Sequence, residues 1–77
     1  MKTVDKSKWA IKARDIIRLE LDKQDMNFAV LAKRLKKIGI EDNNINLSNK
    51  INRGTFSFIF ALQVFEVLGI ETLNLKD

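Results

Sequence analysis

Three features of this 77-residue sequence predict an all-α fold of four to five short helices. Apolar residues recur at steps of three and four, the spacing that lines one face of a helix. β-Branched residues nowhere form a sustained alternating run, so no strand is expected. Gly39, Gly54 and Gly69 each follow a stretch of helical periodicity, where a residue able to adopt the left-handed conformation closes a helix.

The first helix is expected from Ser7, a fair N-cap, to about Lys23, with Ala10, Ala13, Ile17 and Leu21 as its core stripe, widened by Trp9 and Ile16. Gln24-Asp25-Met26 is the connection. Asn27 caps a second helix carrying Phe28, Leu31, Ala32, Leu35 and Ile38 on one face and Lys33, Arg34, Lys36 and Lys37 mostly elsewhere. Glu41-Asp42-Asn43-Asn44 has loop and cap composition, because short polar side chains compete for backbone hydrogen bonds. A third helix from Asn43 or Asn44 to Gly54 is polar apart from Ile45, Leu47 and Ile51.

The fourth helix runs from Ser57 to about Leu68, with Phe56 and Phe60 spaced as a hydrophobic staple around the Ser57 cap. Its body is apolar on most sides, so it is expected as the central core helix. Ile70 to Leu75 forms either one more helical turn or a short extended tail. In Ile38-Gly39-Ile40 and Leu68-Gly69-Ile70, the apolar residue after glycine is placed to fold back in a Schellman closure. No proline, linker or low-complexity tract divides residues 1–77, so one domain is expected, with its core over about 7–75.

Composition excludes much chemistry. The absence of Cys and His removes disulfides, Cys-His and Ser-His-Asp nucleophiles and nearly all zinc sites. The three glycines build no phosphate-cradling loop. Asp22/Asp25 and Glu41/Asp42 are carboxylate pairs on which nothing else converges, so no metal, cofactor or catalytic role is expected and the chain is read as a non-enzyme. No uninterrupted apolar run exceeds five residues, against the 18 or so of a membrane span, and Met1-Lys2-Thr3-Val4-Asp5 lacks an apolar signal core. A soluble cytoplasmic protein is the expectation.

The net charge is +4, unevenly distributed. Residues 1–40 hold 11 basic and 5 acidic side chains, a net of +6, whereas residues 41–77 hold 3 basic and 5 acidic, a net of −2. A polyanionic partner fits the basic half.

Leu31-Ala32 with Leu35 on the second helix, Gly39-Ile40 at the turn, Ile51-Asn52-Arg53-Gly54 ending the third helix and Leu62 through Leu68-Gly69-Ile70 closing the fourth are, in that order, similar to the lambda-repressor-like (XRE-type) helix-turn-helix domains. Asn49-Lys50-Ile51-Asn52-Arg53-Gly54-Thr55-Phe56 also resembles a small bacterial family of domains of unknown function that shares a K-I-x-R-G-x-F core. Together the resemblance covers roughly residues 10–73. It implies a helix-turn-helix fold whose third helix enters the major groove of duplex DNA, in a transcription regulator. Two positions depart from the pattern. The stretch from Gly39 to Gly54 is about three residues longer than is usual, and Phe28 stands where family members commonly place a phosphate-contacting Gln.

Within that reading, Asn44, Asn46 and Asn49 are the candidates for base edges, since Asn pairs bidentately with adenine. Lys50 and Arg53 are candidates for phosphates, as are Thr55, through its hydroxyl and the Gly54 and Thr55 amides, and Lys33 and Lys37 of the helix 2 run. The alternatives are a short polar helix with surface asparagines, a solvated cationic face and a plain turn. Phe56, Phe58, Phe60 and Phe65, with Trp9, are read as core rather than as base-stacking residues; a surplus left outside would mark a dimer interface. The expected function is DNA binding, with a homodimer in view; the rival is a protein-interaction or dimerisation module of the same fold.

Overall fold

The computed structural model describes residues 6–73 and Leu75. They form α1 (Lys6–Lys23), α2 (Phe28–Lys37), α3 (Asn44–Arg53) and α4 (Phe58–Leu68), with no strand among the described residues. Residues 70–73 and Leu75 are non-helical, so the described residues hold no fifth helix; Asn74 lies outside them. α1 is already helical at Lys6, so Ser7 is inside the helix; its side chain lies outside the described set.

The other three starts follow from local chemistry. Asn27 Oδ1 accepts from the Val30 amide at 2.9 Å, Asn43 Oδ1 from the Asn46 amide at 2.8 Å and Ser57 Oγ from the Phe60 amide at 3.0 Å. The Phe56 and Phe60 rings lie 5.6 Å apart and complete the staple across Ser57. At the ends, the Ile40 amide donates to Leu35 O and the Ile70 amide to Phe65 O, each at 3.0 Å, which are the long bonds of Schellman closures. α1 closes the same way without glycine. The Met26 amide donates to Leu21 O at 2.9 Å while Asp25 takes a left-handed φ of 53°.

Each helix gives the core residues four apart. Ile17 and Leu21 of α1, Leu31 and Leu35 of α2, Leu47 and Ile51 of α3, and Phe60, Val64 and Leu68 of α4 form one buried cluster. α3 packs on both α1 and α2, and α2 packs on α4. Gln24 Nε2 donates to Leu68 O at 2.8 Å and Arg34 Nη1 to Val67 O at 3.4 Å, satisfying carbonyls at the α4 C-terminus.

Several apolar residues expected inside lie outside. Phe60 is buried and Phe56 and Phe65 are partly buried, but Phe58 is 72% and Trp9 57% exposed. α4 is therefore not a central helix. Its covered face is Phe60, Ala61, Val64 and Leu68, flanked by the partly buried Phe65 and Val67, and Phe58, two residues from Phe60, is turned about 200° away around the axis. Ile45 stands in the same relation to Leu47 on α3 and is 67% exposed. Ile38 is the exposed C-cap of α2, past the end of its stripe.

Of the three glycines, Gly54 alone is closely packed. It ends α3 with a φ of 71°, and a Cβ built on it would stand 1.9 Å from Ala10 O and 2.6 Å from Ala10 C of α1. Neither atom belongs to a flexible side chain, so no rotamer change relieves the clash. Gly69 has a similar φ of 70° but nothing within 4 Å of its missing Cβ.

This contrast makes a paired prediction. Gly69→Ala is expected to cost about 1 kcal/mol, the left-handed penalty alone. Gly54→Ala adds separation of α3 from α1 and is expected to cost at least about 3 kcal/mol, enough to unfold much of a small domain in water. Urea denaturation followed by circular dichroism reads both, and equal losses would refute the packing role. In the same assay Asp25→Gly is expected to stabilise by about 0.5–1 kcal/mol, by relieving a non-glycine left-handed residue at a helix end.

Candidate nucleic-acid interface

Between α2 and α3 the chain needs six residues, 38–43, rather than the three or four of a short helix-turn-helix connection. The extra length of the Gly39–Gly54 stretch therefore lies in the turn. It carries Asp42 alongside α3, where Lys50 Nζ donates to Asp42 Oδ2 at 2.9 Å. The same ammonium sits 4.7 Å from the centre of the Phe60 ring, a cation–π contact. Lys50 is thus held between the turn and the buried edge of α4.

Asn46, Asn49, Lys50 and Arg53 follow one another at steps of three and one, a spacing that keeps them on one flank of α3. With Asp42, Thr55 and Phe56 they line an open cleft of about 350 Å³. A second shallow cleft, lined by Lys36, Glu41, Asp42, Asn43 and Asn46, adjoins it through Asp42 and Asn46. Five of the eight residues expected at a binding surface (Asn46, Asn49, Lys50, Arg53 and Thr55) therefore share one cleft. Asn44 does not. Two positions from Asn46, it lies on the far side of α3. Lys33 and Lys37 are exposed on α2, one turn apart, and line neither cleft.

One expectation changes with this geometry. The Gly54 amide donates to Ile51 O at 3.0 Å and its Cα side is pressed on Ala10, so it closes α3 instead of facing a ligand. Phe28, which stands where members of the resembled family commonly place a phosphate-contacting Gln, is partly buried and packs against the core, as its place on the apolar face of α2 predicts. Lys36, one of the cationic run on α2 considered for phosphates, lines the second cleft. Asp42 was not among the expected site residues, because the Asp42–Lys50 pair spans eight residues of turn and helix, a separation with no regular spacing to betray it.

Asp42 is the electrostatic pivot. Its side chain is only 12% exposed. The hydrogen bond from Lys50 is the main influence holding its carboxyl below the ordinary value of 3.8; burial opposes this, and the Lys50 charge, the Asn46 side chain and the Asn43 backbone add to it. The carboxylate is therefore charged at neutral pH, and two of the cleft's polar groups, those of Lys50 and Asn46, are turned toward it. Asn49 and Arg53 are exposed on the outer part of the flank. Among the described residues, no group of three acidic side chains is placed to hold a metal ion, and no helix is long and apolar enough to cross a membrane.

Because the folded-state pKa of Asp42 is depressed, its stabilisation is fully present above the unfolded value near 3.8 and is lost as pH falls through the folded value. Asp42→Asn is therefore expected to be less stable than the parent at pH 6 by up to about 1 kcal/mol, an exposed-to-half-buried ion pair's worth. The gap closes below the ordinary carboxyl range. Parallel urea melts at pH 6 and pH 3 check this, and a gap that widens on acidification has the wrong sign.

A family model described as "Domain of unknown function (DUF6471)" matches residues 9–73, from the first turns of α1 into the tail. Comparison with curated proteins and with solved structures finds no match.

Proposed function

The chain belongs to the family described as "Domain of unknown function (DUF6471)", and we propose that it is a DNA-binding domain of the helix-turn-helix kind serving a transcription regulator. α3 lies in the major groove on this reading, and α2 crosses the backbone. The observation that carries it is the single polar flank of α3, on which Asn46, Asn49, Lys50, Arg53 and Thr55 share one open cleft. α3 itself holds no acidic residue, so its outer surface meets phosphates without intrinsic repulsion.

The geometry divides the roles. Asn49, exposed beside Arg53, is the residue for base edges, because Asn46 is engaged with Asp42. Arg53 takes a phosphate with its planar fork, and Lys33, Lys36 and Lys37 on α2 add backbone neutralisation. Asp42 holds Lys50 in one orientation, so Lys50 positions the flank more than it binds. A second reading, the same fold as a protein-interaction module, is favoured by that carboxylate in the cleft and by the bare face of α4.

Fluorescence anisotropy with a random-sequence duplex separates the two. Contact with four to six phosphates predicts a slope of log affinity on log salt of roughly −4 to −5. Arg53→Ala is expected to weaken binding to all sequences alike and to make that slope shallower by about 1. Asn49→Ala is expected instead to change the ranking among sequences, by about 1–3 kcal/mol at one base pair. No binding at low salt, or binding indifferent to salt, defeats the DNA reading and leaves the protein-interaction module.

A further inference from the structure

The outer face of α4 is the least expected surface of the molecule. Phe58 is 72%, Ile59 69% and Leu62 51% exposed. They continue into a cleft of about 280 Å³ where Phe65, Ile70 and Leu73 meet them, with Glu66 and Glu71 at its edge. At roughly 150–200 Å² per large side chain, the three most exposed residues alone leave about 350 Å² of apolar surface in solvent. That is a contiguous patch of the size that marks an interaction site.

Its charges choose the occupant. Glu66 is the one charged residue of α4 and stands in the last turn, where a negative charge opposes the helix dipole. The first turn holds no acidic residue to offset its positive end, and the last turn no basic one. An anionic partner, nucleic acid or lipid, is repelled by Glu66 and Glu71. A second, antiparallel α4 answers both ends at once, setting each Glu66 against the amide-rich N-terminus of the other helix. Phe58 and Leu62 themselves line that cleft together with Phe65, Ile70 and Leu73, so the apolar face is one continuous strip along α4.

We propose that this face pairs with the same face of a second copy of the chain, the two α4 helices antiparallel about a two-fold axis, with the exposed Phe58, Ile59 and Leu62 of each packed on those of the other. Such a contact is isologous and closes on itself. It removes about 350 Å² from the three residues of each copy, about 700 Å² in all, which is below the roughly 1,200 Å² of stable specific interfaces, so the dimer is a weak, dissociable one. The proposal does not rest on DNA binding and is tested without DNA.

Sedimentation equilibrium of the full chain over about 10–500 µM covers the range expected for an interface of this size. The apparent mass is expected to climb from 8.9 kDa toward twice that value. Leu62→Glu and Ile59→Lys, both at exposed positions, are expected to hold the monomer mass throughout while keeping the helical circular dichroism of the parent. Glu66→Gln is expected to weaken the dimer about three- to tenfold through loss of two charge–dipole contacts. A parent that stays monomeric at the top of the range overturns the proposal and leaves the face to a different protein. Folded Leu62→Glu and Ile59→Lys variants that dimerise like the parent also overturn it, and an unchanged Glu66→Gln dimer overturns the antiparallel arrangement.

Discussion

The contact of Gly54 with the Ala10 backbone fixes how this small domain is assembled. It brings the C-terminus of α3 onto the first turns of α1 at a distance no side chain tolerates. It also turns the chain through a left-handed φ of 71° into the Thr55-Phe56-Ser57 corner. Three requirements converge on one position: ending α3, docking on α1, and aiming the Phe56–Phe60 staple that starts α4. With α3 held on α1 at one end and packed along α2, its Leu47–Ile51 face goes to the core and its Asn46–Arg53 flank has nowhere to go but solvent. The K-I-x-R-G-x-F segment gains a physical reading from this. Lys50 grips the turn, Ile51 fills the core, Arg53 faces out, Gly54 makes the contact and Phe56 is half of the staple.

The electrostatics of the flank are a compromise between order and available charge. Lys50, fixed by Asp42 and the Phe60 ring, loses rotamer freedom and part of its reach toward an external phosphate. Ion pairs of this exposure contribute at most about 1 kcal/mol, so the gain is chiefly geometric: the long 38–43 turn is tied to α3. A surface built this way carries fewer free cations than its count of basic residues implies. Net charge alone therefore overstates how strongly this face attracts a polyanion, and on the proposed DNA-binding reading the recognition role would pass to Asn49 and Arg53.

Local chemistry was legible in the sequence, and long-range geometry was not. Asn27, Asn43 and Ser57 could be read as caps because a cap acts on amides two or three residues away. The closures at Ile40 and Ile70 were readable for the same reason. The buried side of α4 was hidden, since a helix apolar all round has no contrast from which a direction can be taken, and Phe58 and Phe60 look alike in sequence. α1 gave Ile17 and Leu21 correctly but not the exposure of Trp9, which sits about 100° around the helix from Ala10. Asp25 escaped notice because a left-handed helix end usually announces itself with glycine. Along the site, the candidates came from side-chain chemistry within the resemblance; that Asn46, Asn49, Lys50 and Arg53 share one flank of α3 and Asn44 does not is what helical spacing explains. Asp42 and the loss of the Gly54 amide were legible in neither way, because each depends on a partner on another element.

The two unusual surfaces, the polar flank of α3 and the apolar face of α4, share an origin in chain length. A domain this short buries a small core, here nine side chains from four helices with a ring of partly buried apolar residues packed around them. Apolar residues left outside that ring face water, and scattered singly they carry little meaning. Here three of the largest are adjacent on one helix, with acidic residues confined to one end. On the two proposals taken together, two α3 flanks held at a fixed separation would act with a high effective concentration, the second contact forming nearly as an intramolecular one. The proposed α4 association and the proposed α3 recognition would then be compatible uses of the fold, and binding would depend steeply on the amount of protein present.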